Sequence, residues 1–235
     1  MKLLAFETAT EACSVALYLD GEVRERFEVA PRRHAELALP WADALLAEAG
    51  VARAQLDAVA VGRGPGAFTG VRLAIALAQG IALGLDRPVV PVSTLAVLAA
   101  GAPADGPARI LAAIDARMGE VYAGAFLRGS DGVAALDAER VLPPESVVLA
   151  EDAVGDWQGV GTGFAAAQGA LAQRMAGALA PIDATALPRA ADLARLAAAA
   201  YARGGAVAPE RVEPAYLRDN VALTLAEQQA LRAAR

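Results

Sequence analysis

The alternation of apolar and polar residues divides the chain into elements. Lys2 to Glu7 is apolar and stops at an acid. From Ala12 to Leu19, Cys13, Val15, Leu17 and Leu19 alternate with Ser14, Ala16 and Tyr18, the period of a strand. Asp20-Gly21 is a two-residue hairpin signal. Glu22 to Val29 then sets Val23, Phe27 and Val29 against Arg24, Arg26 and Glu28, so a three-stranded meander opens the chain. After Pro31 the period lengthens. His34 to Ala49 reads as a helix closed by Gly50, with Pro40 implying a late start or a kink. Its apolar residues form two sets, Leu37, Trp41, Ala44 and Leu45, and Leu39, Ala42 and Leu46, which is more than one buried face requires.

The stretch from Ala58 to Leu85 organises the rest. Ala58 to Val61 has the uninterrupted apolar character of a buried parallel strand. Gly62-Arg-Gly-Pro-Gly-Ala-Phe-Thr-Gly70 is a glycine-dense turn, and Ala67 to Leu85 is apolar at helical length. No lysine follows Gly70, so the turn is not a nucleotide P-loop and reads as a tight strand-to-helix connection. Along the helix, Gly70, Ala74, Ala78 and Ala82 form one ridge of small residues. Ala76, Gly80 and Gly84 form a second, beside a bulky row of Leu73, Leu77, Ile81 and Leu85. One face covers a sheet; the other calls for a cover from this chain or a partner. A strand at Val89 to Val92, a short helix at Ser93 to Ala100 and a Gly/Pro linker at 101–107 follow.

The opening plan then repeats. Arg109 to Ile114 ends at Asp115, Glu120 to Leu127 is a second strand, Asp131-Gly132 marks a hairpin, and Val133 to Val141 a third strand. Strand, acid, strand, Asp-Gly turn, strand occurs twice, which implies a duplicated domain. Beyond Pro144 the signals thin to a strand and turn at Gln158 to Gly163, a helix at Ala190 to Arg203, an extended run at Pro209 to Arg218 and a short helix at Leu225 to Arg235.

Composition narrows the chemistry. The chain has 235 residues, a formal net charge of −6, one lysine, one histidine and one cysteine. A single cysteine excludes an internal disulfide and a cysteine-rich zinc site. No apolar run is read as a membrane span and no signal peptide as present, so the expectation is a soluble, cytoplasmic protein that does not engage a membrane. The basic surface around Arg32-Arg33 is too thin to hold nucleic acid unaided. Glu7 and Asp115 each end the first strand of a half. They either hold a divalent cation and nucleotide across a cleft or are polar strand ends. Thr8, Thr10 and Ser14 either donate to phosphate or cap the turn. Cys13 reads as buried and inert, and Phe68 and Trp41 as ligand contacts or, more commonly for aromatics on apolar helices, packing residues.

Phe6-Glu-Thr-Ala-Thr-Glu-Ala-Cys-Ser-Val15, His34-Ala-Glu-Leu-Ala-Leu-Pro40, the Gly62–Gly70 loop, Asp115-Ala-Arg-Met-Gly-Glu-Val-Tyr122 and Pro214-Ala-Tyr-Leu-Arg218 together resemble the TsaB (YeaZ) family nearly end to end. The glycine loop is the specific part. The resemblance implies an α/β fold of the actin-like ATPase (ASKHA) class, two ribonuclease-H-like halves with mixed β-sheets flanked by helices. The N-terminal half, 1–104, would carry the dimerisation helices, and the smaller half, 105–235, a last helix packed back on the first. It implies a non-catalytic subunit that dimerises with its paralogue TsaD in forming N6-threonylcarbamoyladenosine at position 37 of tRNAs reading ANN codons. TsaE, an ATPase, would be a further partner. The chain would form a homodimer when alone and meet tRNA only through the complex.

TsaD carries a His-x-x-x-His metal pair where this chain has Thr94 and Leu98, so no catalytic or metal-binding residue is expected. Nor is a cofactor of its own, though ATP or ADP at an interface shared with TsaD would draw on Glu7, Thr8, Thr10 and Asp115. The expected partner face takes His34, Leu37, Trp41 and Leu45 from the first helix. From the second it takes Phe68, Gly70, Ala74, Leu77 and Ala78. The competing readings are a magnesium-dependent ATPase or phosphotransferase using Glu7 and Asp115, and a glycoprotease-like peptidase. One histidine and no nucleophile elbow weigh against the peptidase.

Overall fold

The computed structural model describes residues 1–149 and 156–218. The first sheet is built from β1 (Lys2–Glu7), β2 (Ala12–Leu19), β3 (Glu22–Val29), β4 (Ala58–Gly62) and β5 (Val89–Val92), in the order β3-β2-β1-β4-β5. β3, β2 and β1 run antiparallel, whereas β1, β4 and β5 run parallel. The crossovers supply α1 (His34–Ala49) and α2 (Phe68–Leu85), and α3 (Thr94–Ala100) follows β5.

The second sheet repeats this plan. β6 (Arg109–Arg117), β7 (Glu120–Gly129) and β8 (Gly132–Ala135) form an antiparallel meander, and β10 (Trp157–Val160) and β11 (Leu179–Asp183) extend it in parallel. The resulting order is β11-β10-β6-β7-β8, with β9 (Arg140–Leu142) a further partner of β7. The duplication read from two Asp-Gly hairpins is thus a duplication of topology.

Alternation along the strands decides which helices lie where. On the first sheet, Leu4, Phe6, Val15, Val59 and Val61 turn to one face and pack against α1 and α2. Leu3, Ala5, Ala16, Ala58 and Ala60 turn to the other and meet α5 (Ala190–Ala202) through Ala190, Leu193, Ala194 and Ala197. Alanine against alanine lets helix and sheet approach closely, which gives a purpose to the abundance of that residue. α3 packs through Leu95, Leu98 and Ala99 on Ile110, Ala112 and Ile114 of the second sheet. The far face of that sheet is covered through Leu171 and Met175 of α4 (Ala166–Met175, left-handed over Ala167–Gly169). The layers run α1/α2, sheet, α5/α3, sheet, α4.

Several expectations change. The third strand of the second half, read as Val133 to Val141, breaks into β8 and β9 because the chain leaves the sheet at 136–139, where Glu139 hydrogen-bonds Ser93 at the start of α3. α1 runs through Pro40 instead of starting after it. α4 and β11 have no counterpart in the reading of the sequence. α5, placed by a division at residue 104 with the second half, packs on the first sheet. α2, at 18 residues, does reach the length and apolar composition of a membrane span, contrary to the reading above; one row of it is sealed on the sheet. The helix read at Leu225 to Arg235 lies outside the described residues.

Candidate functional site

The loops that follow β1 and β4, the end of β6 and the N-terminus of α2 line a cleft of about 1160 Å³ between the two lobes. The glycine loop reaches it through close backbone contacts. A Cβ on Gly70 would fall 2.0 Å from the Thr8 carbonyl oxygen, and one on Gly62 would fall 1.9 Å from Oε2 of Glu7. Only glycine lets the loop lie this near β1. Three hydrogen bonds close the seam: Ala67 N donates to the Ala9 carbonyl (2.7 Å), Thr94 N to that of Gly64 (2.9 Å), and the Thr8 hydroxyl to that of Gly70 (2.7 Å).

Glu7 lies beneath the loop, 1 % exposed. Its Oε1 accepts from Ala9 N (2.8 Å) and its Oε2 from the Thr94 hydroxyl (3.1 Å), while Thr94 Oγ1 accepts from Gly64 N (3.2 Å). Burial pushes the carboxyl up to about 7 against the pull of these donors. Asp115 has a different setting. It lines the cleft, pairs with Arg117 at 2.8 Å, and accepts from Arg117 N. The structure therefore separates the two acids expected to act together: one is sealed under a loop and the other faces the cleft.

Of the residues singled out from the sequence, Thr10, His34, Phe68, Gly70 and Asp115 share the cleft lining, and Glu7 and Thr8 do not. Thr8 is committed to Gly70. Ser14 donates to Glu25 and accepts from Ala190 N, tying α5 to the sheet. His34 opens α1 with Nε2 3.0 Å from the Thr10 carbonyl. Thr94 and Leu98, expected from the resemblance to stand where TsaD has histidines, are a hydrogen-bond bridge and a buried packing residue. Among the described residues no three His, Cys, Asp or Glu side chains gather in a way that would hold a metal ion.

The expected partner face is corrected in its detail. Gly70, Ala74 and Ala78 are buried on the chain's own sheet, and so is Leu45, because this ridge fits the close approach of β1 and β4. The row that faces out is the second one, Ala76, Gly80 and Gly84, with Leu83 61 % and Phe68 70 % exposed and Leu73, Leu77 and Ile81 half-buried. Phe68 is therefore not a packing residue. α1 adds the half-buried Leu37 and Trp41 and the exposed Leu39. Gly80 and Gly84 have open space where a side chain would stand. Sequence reasoning did not single out Leu83 or Arg72, which carry no motif of their own, and quoted Tyr216 only within the Pro214–Arg218 segment without giving it a role.

Two five-strand paths of one topology, each three strands antiparallel and two more parallel, with helices between and outside them and a cleft at the strand ends, define an actin-like protein of two ribonuclease-H-like halves. The family model described as "TsaD: tRNA N6-adenosine threonylcarbamoyltransferase" matches residues 27–225. The chain is 44 % identical over 230 residues to the tRNA threonylcarbamoyladenosine biosynthesis protein TsaB of Escherichia coli (strain K12), covering 94 % of this chain and 96 % of that one. It is 38 % identical to the protein of the same name from Haemophilus influenzae, over 94 % and 95 % of the two chains. The solved structure of YeaZ from Pseudomonas aeruginosa, 47 % identical, superposes with a TM-score of 0.82 over 92 % of this chain and 99 % of that one. The chain belongs to the TsaB (YeaZ) family.

Proposed function

We propose that this chain serves the formation of N6-threonylcarbamoyladenosine in tRNA as a non-catalytic subunit that pairs with TsaD through the outer face of α1 and α2. The relatives' name points to the pathway, and the match to the TsaD family model supports a paralogue of like fold as the partner. The observation that carries the pairing is the outward row of α2. Ala76, Gly80 and Gly84 present almost bare backbone, flanked by Leu73, Leu77 and Leu83. An exposed apolar strip of this kind marks an interaction site, and small residues let a second helix approach closely. The same face would join two copies when TsaD is absent. TsaE and tRNA would then meet the assembly and not this chain alone.

The test is reconstitution of the tRNA modification with purified TsaD, TsaE and threonylcarbamoyl donor, with and without this protein. Modification is expected to depend on it. Leu83→Glu and Gly80→Arg are expected to abolish co-purification with TsaD while the circular dichroism stays that of the wild type and the melting temperature does not fall. Undiminished pairing in both variants would reject the α2 face.

A further inference from the structure

We infer that residues 209–218 form a strap that holds the exposed Phe68 in fixed relation to the second lobe, with Arg72, Tyr216 and Arg218 as its positioning residues. After α5 the chain returns along the first lobe. Val207 bridges Val89, the Gln79 amide donates to the Pro209 carbonyl at 2.8 Å, and Val212 is buried in the core beneath α2. Ala215 N then donates to the Arg63 carbonyl (2.8 Å), in the glycine loop.

At Tyr216 the strap meets the partner end of α2. Arg72 donates through one Nη to the Tyr216 hydroxyl (2.6 Å) and through the other to the Phe68 carbonyl (3.0 Å). Its guanidinium carbon lies 3.3 Å from the centroid of the Phe68 ring and 5.0 Å from that of Tyr216, so the arginine covers the first ring and joins it to the hydroxyl end of the second. Two residues later the strap reaches the other lobe. Arg218 donates to the Ala116 carbonyl (3.1 Å) and the Glu120 carboxylate (2.5 Å), both on the hairpin joining β6 and β7, with Met118 Sδ 3.3 Å away. The Arg218–Glu120 bond is charge-assisted and joins side chains only 19 % and 32 % exposed, so it is less screened than an ordinary surface pair.

Phe68 is thus an exposed aromatic whose setting depends on Arg72, on Tyr216 144 positions beyond that arginine and, through it, on the second lobe. A ring already held in place loses little freedom when a partner covers it. Conversely, a partner that shifts Phe68 pulls on the hairpin at the mouth of the cleft. The strap touches the α2 face proposed above only at its Phe68 end and its contacts exist in the chain alone, so it can be tested without TsaD.

The test is amide hydrogen exchange on the full chain. Arg218→Met keeps the stem and removes the bonds to Ala116 and Glu120. It is expected to raise exchange about tenfold in residues 115–120 and, together with them, in residues 63–72, with β1, β2 and α5 unchanged. Arg72→Met is expected to loosen 115–120 in return, and Arg218→Lys to recover part of the protection. Loosening confined to 115–120 in Arg218→Met, or to 63–72 in Arg72→Met, overturns the strap. If Arg218→Met unfolds the whole chain, the isosteric Glu120→Gln decides, because both segments must then move together or the proposal fails. In the TsaD binding measurement Arg218→Met is expected to weaken affinity about tenfold. Loss of binding in Leu83→Glu but not in Arg218→Met rejects the strap's role in pairing and leaves the α2 face standing.

Discussion

Glu7 shows how one residue can couple solution conditions to the loop above it. Its carboxyl has an ordinary value of 4.5 in the unfolded chain and about 7 in the fold. Below 4.5 both states are protonated and the residue carries no penalty. As pH rises through this window the unfolded chain releases its proton first, so stability falls, and the loss is complete above 7. The shift corresponds to about 3 kcal/mol. Glu7→Gln, which keeps the shape, is expected to flatten this part of the dependence. Denaturant midpoints at intervals from pH 5 to 8 would show wild type losing ground to the variant; parallel curves would contradict the assignment. At Gly70 the question is steric. With a Thr8 carbonyl 2.0 Å from any added Cβ, Gly70→Ala is expected to cost about 2–4 kcal/mol in equilibrium unfolding. Any loss of pairing in that variant would follow from the damaged fold.

At the scale of the element, α2 shows what periodicity can and cannot decide. The sequence supports a long helix with two small-residue ridges at identical spacing, but nothing local says which ridge meets the sheet. That choice is made by contacts from far along the chain, Thr8 and Ala9 against the glycine loop. Periodicity alone therefore assigns the interface to the face with Gly70 as readily as to the face with Gly80. Other elements were hidden for physical reasons. β11 contains Pro181, which argues against a strand, and it is tolerated because β11 is an edge with one neighbour. β8 and β9 read as one strand because the departure that separates them answers to Ser93, a residue of the other lobe. The two strand-end acids are legible from their position, yet their different burial is not, since it depends on the loop folding over Glu7 alone. Because Gly80 sits mid-helix with empty space above it, Gly80→Ala is expected to raise stability by about 0.5–1 kcal/mol. Thermal or chemical unfolding of the lone chain reads this directly, and a destabilised variant would mean that the position is covered within the monomer.

At the scale of the molecule, the layers make the two lobes mutually dependent. α5 lies after the whole second sheet in sequence, yet it supplies the cover for Leu3, Ala5, Ala60 and Val90 of the first. A fragment of residues 1–104 is accordingly expected to bind hydrophobic dye and lack dispersed amide resonances, though it contains every strand of its sheet; a cooperative, well-dispersed fragment would refute the dependence. The same arrangement bears on synthesis. The last strand of the first sheet ends at Val92 and α5 ends at Ala202. At about 5–20 residues per second the ribosome needs roughly 5–20 s to cross that interval. Throughout it the emerging lobe offers an alanine-lined flank with no lid, so the nascent chain is a natural client for the chaperones stationed at the exit tunnel until the late helix arrives.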